Sequence, residues 1–130
     1  MGIVEYKGRC HCGRVQFSFR SDEITGGKRC NCSLCSRRGA VMSPTWIAAS
    51  DFSPHRDERD LIVYRWSDRV LRHCFCGTCG IFVYIGDGEN AKDGYRVNLG
   101  CLDGLDPLAL DITIIDGKSR PIFDEPGAAP

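Results

Sequence analysis

The chain has no charge surplus, no long apolar run and no helical stripe, and each absence removes a class of function. Lys and Arg together number 17, and so do Asp and Glu, so the formal net charge is zero. Proteins that grip nucleic acid or an anionic membrane surface carry a basic excess, and neither partner is expected. No stretch approaches the roughly 20 apolar residues that a membrane helix requires. The opening Met-Gly-Ile-Val-Glu-Tyr-Lys lacks a basic region followed by an apolar one, so no signal peptide is expected. Gly2 follows Met1, but Tyr6 stands where an N-myristoylation start needs Ser or Thr. A cytoplasmic protein is the expectation. There is no Gly-rich phosphate loop, no nucleophile elbow and no His-Glu-X-X-His. Nor is there a linker or a tandem repeat. At 130 residues the chain reads as one domain over 1–124, with 125–130 as a flexible Pro/Gly tail.

The pattern that is present is β. Val15, Phe17 and Phe19 alternate with Gln16, Ser18 and Arg20, the period of a half-buried strand. Residues 61–66 are β-branched and aromatic, and 70–75 return after a Ser67-Asp68 turn, as in a hairpin. Further strands are expected over 81–85, ended by Gly86-Asp87-Gly88, and over 95–99. Another is expected over 108–115, where Leu108, Leu110, Ile112 and Ile114 form one alternating face. Residues 53–60, charged and carrying Pro54, read as a solvated loop. At most a short turn is expected near 102–105. Mainly antiparallel strands around metal sites are the expected architecture.

Cysteine is abundant, with nine residues. An odd count does not suit a disulfide framework, and in a reducing compartment clustered thiols read as metal ligands. Cys12-Gly13 and Cys79-Gly80 each end a short cysteine spacing. Glycine admits positive φ, so that backbone amides can turn toward the sulfurs. Cys10, Cys12, Cys76 and Cys79 can therefore join as one tetrahedral structural zinc site, whose binding energy adds to folding. Cys30, Cys32 and Cys35 differ, because no glycine follows any of them. Three thiolates from one short loop can cover one face of a second zinc ion and leave its fourth position open. Two zinc ions per chain are expected. A zinc ion with three thiolates is a weak Lewis acid for water, and its natural fourth ligand is a soft exogenous thiol. Arg37 and Arg38 follow at once and are candidates for holding an anionic substrate. Alternatively the site is closed by Cys74, which shares a strand face with Cys76, or by His11 or His73. Cys101 reads as a small buried apolar residue, and Trp46 as core.

Gly8-Arg-Cys-His-Cys-Gly13-Arg-Val-Gln-Phe, Cys30-Asn-Cys-Ser-Leu-Cys-Ser-Arg-Arg38, Phe75-Cys-Gly-Thr-Cys-Gly80 and Val97-Asn-Leu-Gly-Cys-Leu-Asp103 together resemble the glutathione-dependent formaldehyde-activating enzyme family, to which centromere protein V also belongs. The resemblance runs from about residue 4 to about residue 104. Beyond Asp103 an alternating strand and a short tail stand where family members often carry a Trp-bearing segment. The resemblance implies a β-tent fold. It also implies a structural zinc on Cys10, Cys12, Cys76 and Cys79 and a catalytic zinc on Cys30, Cys32 and Cys35. The activity implied is that of a carbon–sulfur lyase acting on the glutathione–formaldehyde adduct, with a small thiol and an aldehyde as partners. Two other readings of the residues stay open: a non-catalytic zinc-stapled protein-binding module, and a thiol redox or metal sensor.

Overall fold

The computed structural model describes residues 2–56, 58–66, 71–87 and 94–119. Among them are nine strands: β1 (Ile3–Arg9), β2 (Val15–Asp22), β3 (Gly26–Cys30), β4 (Phe52–Arg56), β5 (Leu61–Tyr64), β6 (Leu71–Cys76), β7 (Phe82–Asp87), β8 (Tyr95–Val97) and β9 (Asp111–Ile115). One α-helix, α1 (Ser33–Arg38), joins them. They form an antiparallel sheet β1-β2-β4, an antiparallel sheet β5-β6-β7-β8 and a parallel pair β3-β9.

The mainly β reading holds, and the core follows from side-chain alternation. Val15, Phe17 and Phe19 of β2 are buried while Gln16 and Arg20 are exposed. Across from them, the inner face of the four-stranded sheet presents Tyr84 and Tyr95. Phe17 meets Tyr84 edge-on at 5.5 Å between ring centroids, and Phe52 stacks on Tyr95 at 3.8 Å. These rings, with Val83, Val97, Leu99 and Leu102, form the core between the two antiparallel sheets. Gly8 pairs with Phe17, and a Cβ at Gly8 would collide with the Phe17 ring. Glycine there is a packing requirement.

Several expectations need correction. Residues 53–60 are not a loop throughout. Phe52–Arg56 is β4, paired with β2, and Phe52 is buried. Its Pro54 is tolerated because β4 is an edge strand, where a missing N–H costs no ladder bond. The segment 108–115 is strand only from Asp111, after a 3₁₀ turn at Pro107–Ala109, and it pairs parallel to β3. Its alternating apolar face is not buried: Leu108 is 90% exposed and Ile114 63%. Strands β1 and β3 and helix α1 had no clear signal of their own. Trp46 is not core but half-exposed, with the Arg96 guanidinium 5.0 Å from its ring. The expected β5–β6 hairpin is present in antiparallel register. Its Ser67-Asp68 turn, Gly88 and the 125–130 tail lie outside the described residues.

A register shift between Cys74 and Phe75 places Phe75 opposite Phe82. Regular alternation would have turned Phe82 inward with Tyr84. The irregularity puts Phe82 on the outer face of the sheet, where it becomes part of the site described next.

Candidate metal centres and their surroundings

Two groups of thiols come together. Cys10, Cys12, Cys76 and Cys79 lie with their sulfurs within 4.8 Å of one another, and so do Cys30, Cys32 and Cys35. The first group is assembled by two like turns from the ends of β1 and β6. Cys10 N–H donates to the Val15 carbonyl at 2.9 Å, and Cys76 N–H to the Ile81 carbonyl at 3.0 Å. Each turn is closed by a glycine in the left-handed region, Gly13 at φ 85° and Gly80 at φ 77°. Gly13 N–H reaches the Cys10 carbonyl at 3.3 Å and Gly80 N–H the Cys76 carbonyl at 2.8 Å. Other amides point at sulfur: Val15 N–H at Cys10 Sγ, 3.3 Å, and Thr78 N–H at Cys76 Sγ, 3.3 Å.

The spacing suits zinc. A tetrahedral ion with bonds of about 2.3 Å holds its sulfurs about 3.8 Å apart. Cys10 to Cys12 and Cys12 to Cys76 are each 3.7 Å. Backbone N–H groups of Cys12 and Ile81 hold the Cys79 thiol down to about 6. Burial would raise Cys76, but the N–H groups of Cys79 and Thr78 outweigh it and lower that thiol. At Cys12 the Arg14 N–H is outweighed by desolvation and three neighbouring thiols, which push it up to about 11.

The second group lies at the end of β3 and the start of α1. Cys32 is the N-cap of α1, its sulfur accepting from Cys35 N–H at 3.4 Å, and Gly39 closes the helix at φ 72°. Cys32 N–H in turn points at Cys30 Sγ, 3.4 Å. The Cys35 thiol, aided by nearby N–H groups and opposed by burial, holds Cys32 down to about 5. The shared proton correspondingly pushes Cys35 up. The loop is clamped from the C-terminal side. Asn31 N–H donates to the Ile115 carbonyl at 3.0 Å, Asn31 Nδ2 to Asp116 Oδ1 at 2.9 Å, and Lys118 N–H to Asn31 Oδ1 at 2.9 Å.

Among the described residues no fourth His, Cys, Asp or Glu atom joins this group. Cys74, the first candidate, faces away. His73 points to the outer face toward α1, so its strand neighbour Cys74 points into the core beside Tyr84. His11 is exposed beside the first group. His73 is buried and its Nδ1 accepts from Arg38 Nη1 at 2.9 Å. A guanidinium has no acceptor, so the bond fixes a lone pair on Nδ1.

Arg38 is the residue that joins the second group to the sheet. Its Nη2 donates to Cys35 Sγ at 3.5 Å, and its guanidinium lies 3.7 Å over the Phe82 ring. Burial pulls its pKa down, and the thiols beside it oppose that. Arg37 points outward on α1 and donates to the Ser33 carbonyl at 2.9 Å. Cys101 is buried, which pushes its thiol up to about 12. A separate cleft of about 420 Å³ on the outer face of β1-β2-β4 is lined by Lys7, Arg9, Gln16, Ser18, His55 and Asp103 among others, and no cysteine lines it.

A mainly antiparallel chain with one set of four thiols and one set of three defines a cysteine-rich β-protein with two groups able to hold metal ions. The sequence matches the family described as glutathione-dependent formaldehyde-activating enzyme over residues 5–115, and the chain belongs to that family. The match passes Asp103 and takes in β9, the strand that clamps the second thiol loop. The chain is also similar to a Rhodobacter sphaeroides protein of known crystal structure, a structural genomics target. The two are 32% identical, with a TM-score of 0.70, over 82% of this chain and 99% of that one. Membership ties the chain to the chemistry of glutathione and formaldehyde. No helix among the described residues is long and apolar enough to cross a membrane.

Proposed function

We propose that the protein is a zinc-dependent carbon–sulfur lyase-type enzyme that makes or breaks the adduct of a glutathione-like thiol and a small aldehyde. The observation that carries this reading is the group of three thiols with no fourth protein ligand among the described residues. On this reading Cys10, Cys12, Cys76 and Cys79 hold a structural zinc, and Cys30, Cys32 and Cys35 hold the second. When bound at the second group, the ion lowers the pKa of a thiol beside it.

The chain's own residues supply the rest. N–H groups of Cys32 and Cys35 and the Arg38 guanidinium are directed at the three sulfurs, offsetting their negative charge. Arg37, on the outer side of α1, is a candidate partner for a substrate carboxylate. In the forward direction the substrate thiolate attacks the aldehyde carbon and a C–S bond forms. The carbonyl π pair moves to oxygen, which takes up, by way of water, the proton the thiol released, and the product is a hemithioacetal, S-hydroxymethyl when the aldehyde is formaldehyde. Breakdown is the reverse. The free thiols of the chain suit a reducing compartment such as the cytoplasm.

The test is metal stoichiometry together with thiol-dependent aldehyde consumption. Two zinc ions per chain are expected in the wild type. Cys32→Ser is expected to keep the first zinc, lose or weaken the second and abolish turnover. A Cys32→Ser protein that retains both the second zinc and full activity would sink the proposal.

A further inference from the structure

The outer face of β1-β2-β4 divides by charge. Its outward side chains fall into cross-strand rows, because alternation turns every second residue of each strand to solvent. In one row Glu5 stands opposite Arg20, and Arg20 Nη2 donates to Asp51 Oδ1 at 3.1 Å. That row is neutralised within itself. The next two rows are Lys7–Ser18–Ser53 and Arg9–Gln16–His55. They carry two cations and no carboxylate. Among the described residues neither Lys7 nor Arg9 has an ion-pair partner. The cleft of about 420 Å³ lies over these two rows. Its floor is ordered: Ser18 Oγ lies 3.4 Å from His55 Nε2, and Gln16 Nε2 donates to the Gly13 carbonyl at 2.9 Å. Asp103 closes the β1 side, where Leu102 bridges Gly8 and Asp103 N–H donates to the Lys7 carbonyl at 2.9 Å.

We propose that this cleft binds a small phosphorylated sugar, with its phosphate on Lys7 and Arg9 and a sugar hydroxyl on Asp103. A phosphate monoester carries a charge of about −1.5 to −2 at neutral pH, which two unpaired cations match and a monocarboxylate does not. Lys7 and Arg9 are two residues apart on one strand face, about 7 Å between Cα atoms, so their long side chains can meet on one phosphate. The guanidinium offers it a planar fork, and the Ser18 hydroxyl adds a donor. Asp103 repels a bare phosphate but accepts from hydroxyls, so it favours an ester that carries them. The volume falls in the range of small-molecule sites, about 300–1,000 Å³. Solubility and protection of a sheet edge need charge but not its segregation. Two unpaired cations over a concave surface, beside a row whose charges are paired, select an anion. No cysteine lines the cleft, so this site is independent of the reading of the thiol groups.

The test is calorimetric titration of the zinc-loaded full chain with ribose 5-phosphate, inorganic phosphate and ribose. Ribose 5-phosphate should bind at least about tenfold more tightly than either, the value of one charge-assisted contact. Lys7→Gln and Arg9→Gln should each weaken it about tenfold, while Arg20→Gln, on the same face, should leave it unchanged. Asp103→Ala should bring ribose 5-phosphate and inorganic phosphate to nearly equal affinity. Cys32→Ser should bind ribose 5-phosphate as the wild type does, which separates the cleft from phosphate taken up by a metal ion. Absence of binding, or its loss in Cys32→Ser, overturns the proposal. So does an Arg20→Gln effect as large as that of Arg9→Gln, which would mark a diffuse positive field. A phosphoserine peptide that binds more tightly than ribose 5-phosphate overturns the assignment to a sugar.

Discussion

Arg38 reaches the second thiol group through one hydrogen bond, to Cys35 Sγ, and links it to His73 and Phe82. It is a positioning residue: it fixes the orientation of Cys35 and the lone pair of His73, and it uses Phe82 as a support. Arg38→Gln is therefore expected to raise the rate at which a chelator strips the second metal by about tenfold, the cost of one charge-assisted bond, and to leave the first metal unaffected. Arg38→Lys should not restore the rate, because a single ammonium cannot span two partners and stack. The thiols also set a pH dependence for the metal-free protein. Cys32 sits at about 5 and Cys79 at about 6 in the fold, both below their ordinary value of 9.0. Between about 5 and 9 the unfolded chain thus binds protons that the fold does not, and stability rises with pH. It is lost as pH falls through about 5–6. Cys35 and Cys12 are shifted upward, so above 9.0 the fold retains protons that the unfolded chain releases, and stability declines again. Urea unfolding of metal-free protein across pH should show this maximum near 9.

At the scale of elements, the glycines and the clamp on β9 matter most. Gly8→Ala places a methyl group in the Phe17 ring, an overpacking that costs about 1–3 kcal/mol, visible as a lower midpoint in thermal unfolding with metal bound. Gly80→Ala introduces no clash but forces an L-residue to φ 77°, at about 1–2 kcal/mol. Its effect should appear mainly as weaker metal at the first group. The parallel β3–β9 pair ends where the second thiol loop begins. Asn31→Ala removes the side-chain bonds to Asp116 and Lys118 at exposed positions. About 1 kcal/mol of stability should be lost, with faster metal loss from the second group and no change at the first, as followed by chelator kinetics.

On the scale of the whole molecule, the first group joins the end of β1 to the β6–β7 turn, while the second, at the end of β3, is tied to the outer face of the four-stranded sheet through Arg38. Removing metal should accordingly proceed in two phases, the three-thiol group first and the four-thiol group later, with cooperative unfolding tied to the second phase. Much of this was legible from residues alone. The Cys-Gly steps announced the first group, because only glycine takes positive φ without strain. The period-2 apolar residues of β2 announced a buried sheet face, because alternation leaves no other way to bury them. The spacing of Cys30, Cys32 and Cys35 announced three thiols on one loop, because a short loop cannot separate them. What the sequence could not settle depended on partners far along the chain. Cys74 and His73 are adjacent in sequence, and only the pairing of β6 with β7 decided which of them faces the thiols. Phe82 reached the outer face through a local shift in register. Trp46 faces outward because its neighbour Ile47, bridged to Tyr95, takes the buried side. The sequence alone brought out the two sets of thiols and the family, since these follow from residue type and local spacing. Tertiary structure decided that no protein side chain among the described residues completes the second group. That outcome depends on which face of each strand is turned toward it, and strand register is fixed by packing across the whole sheet.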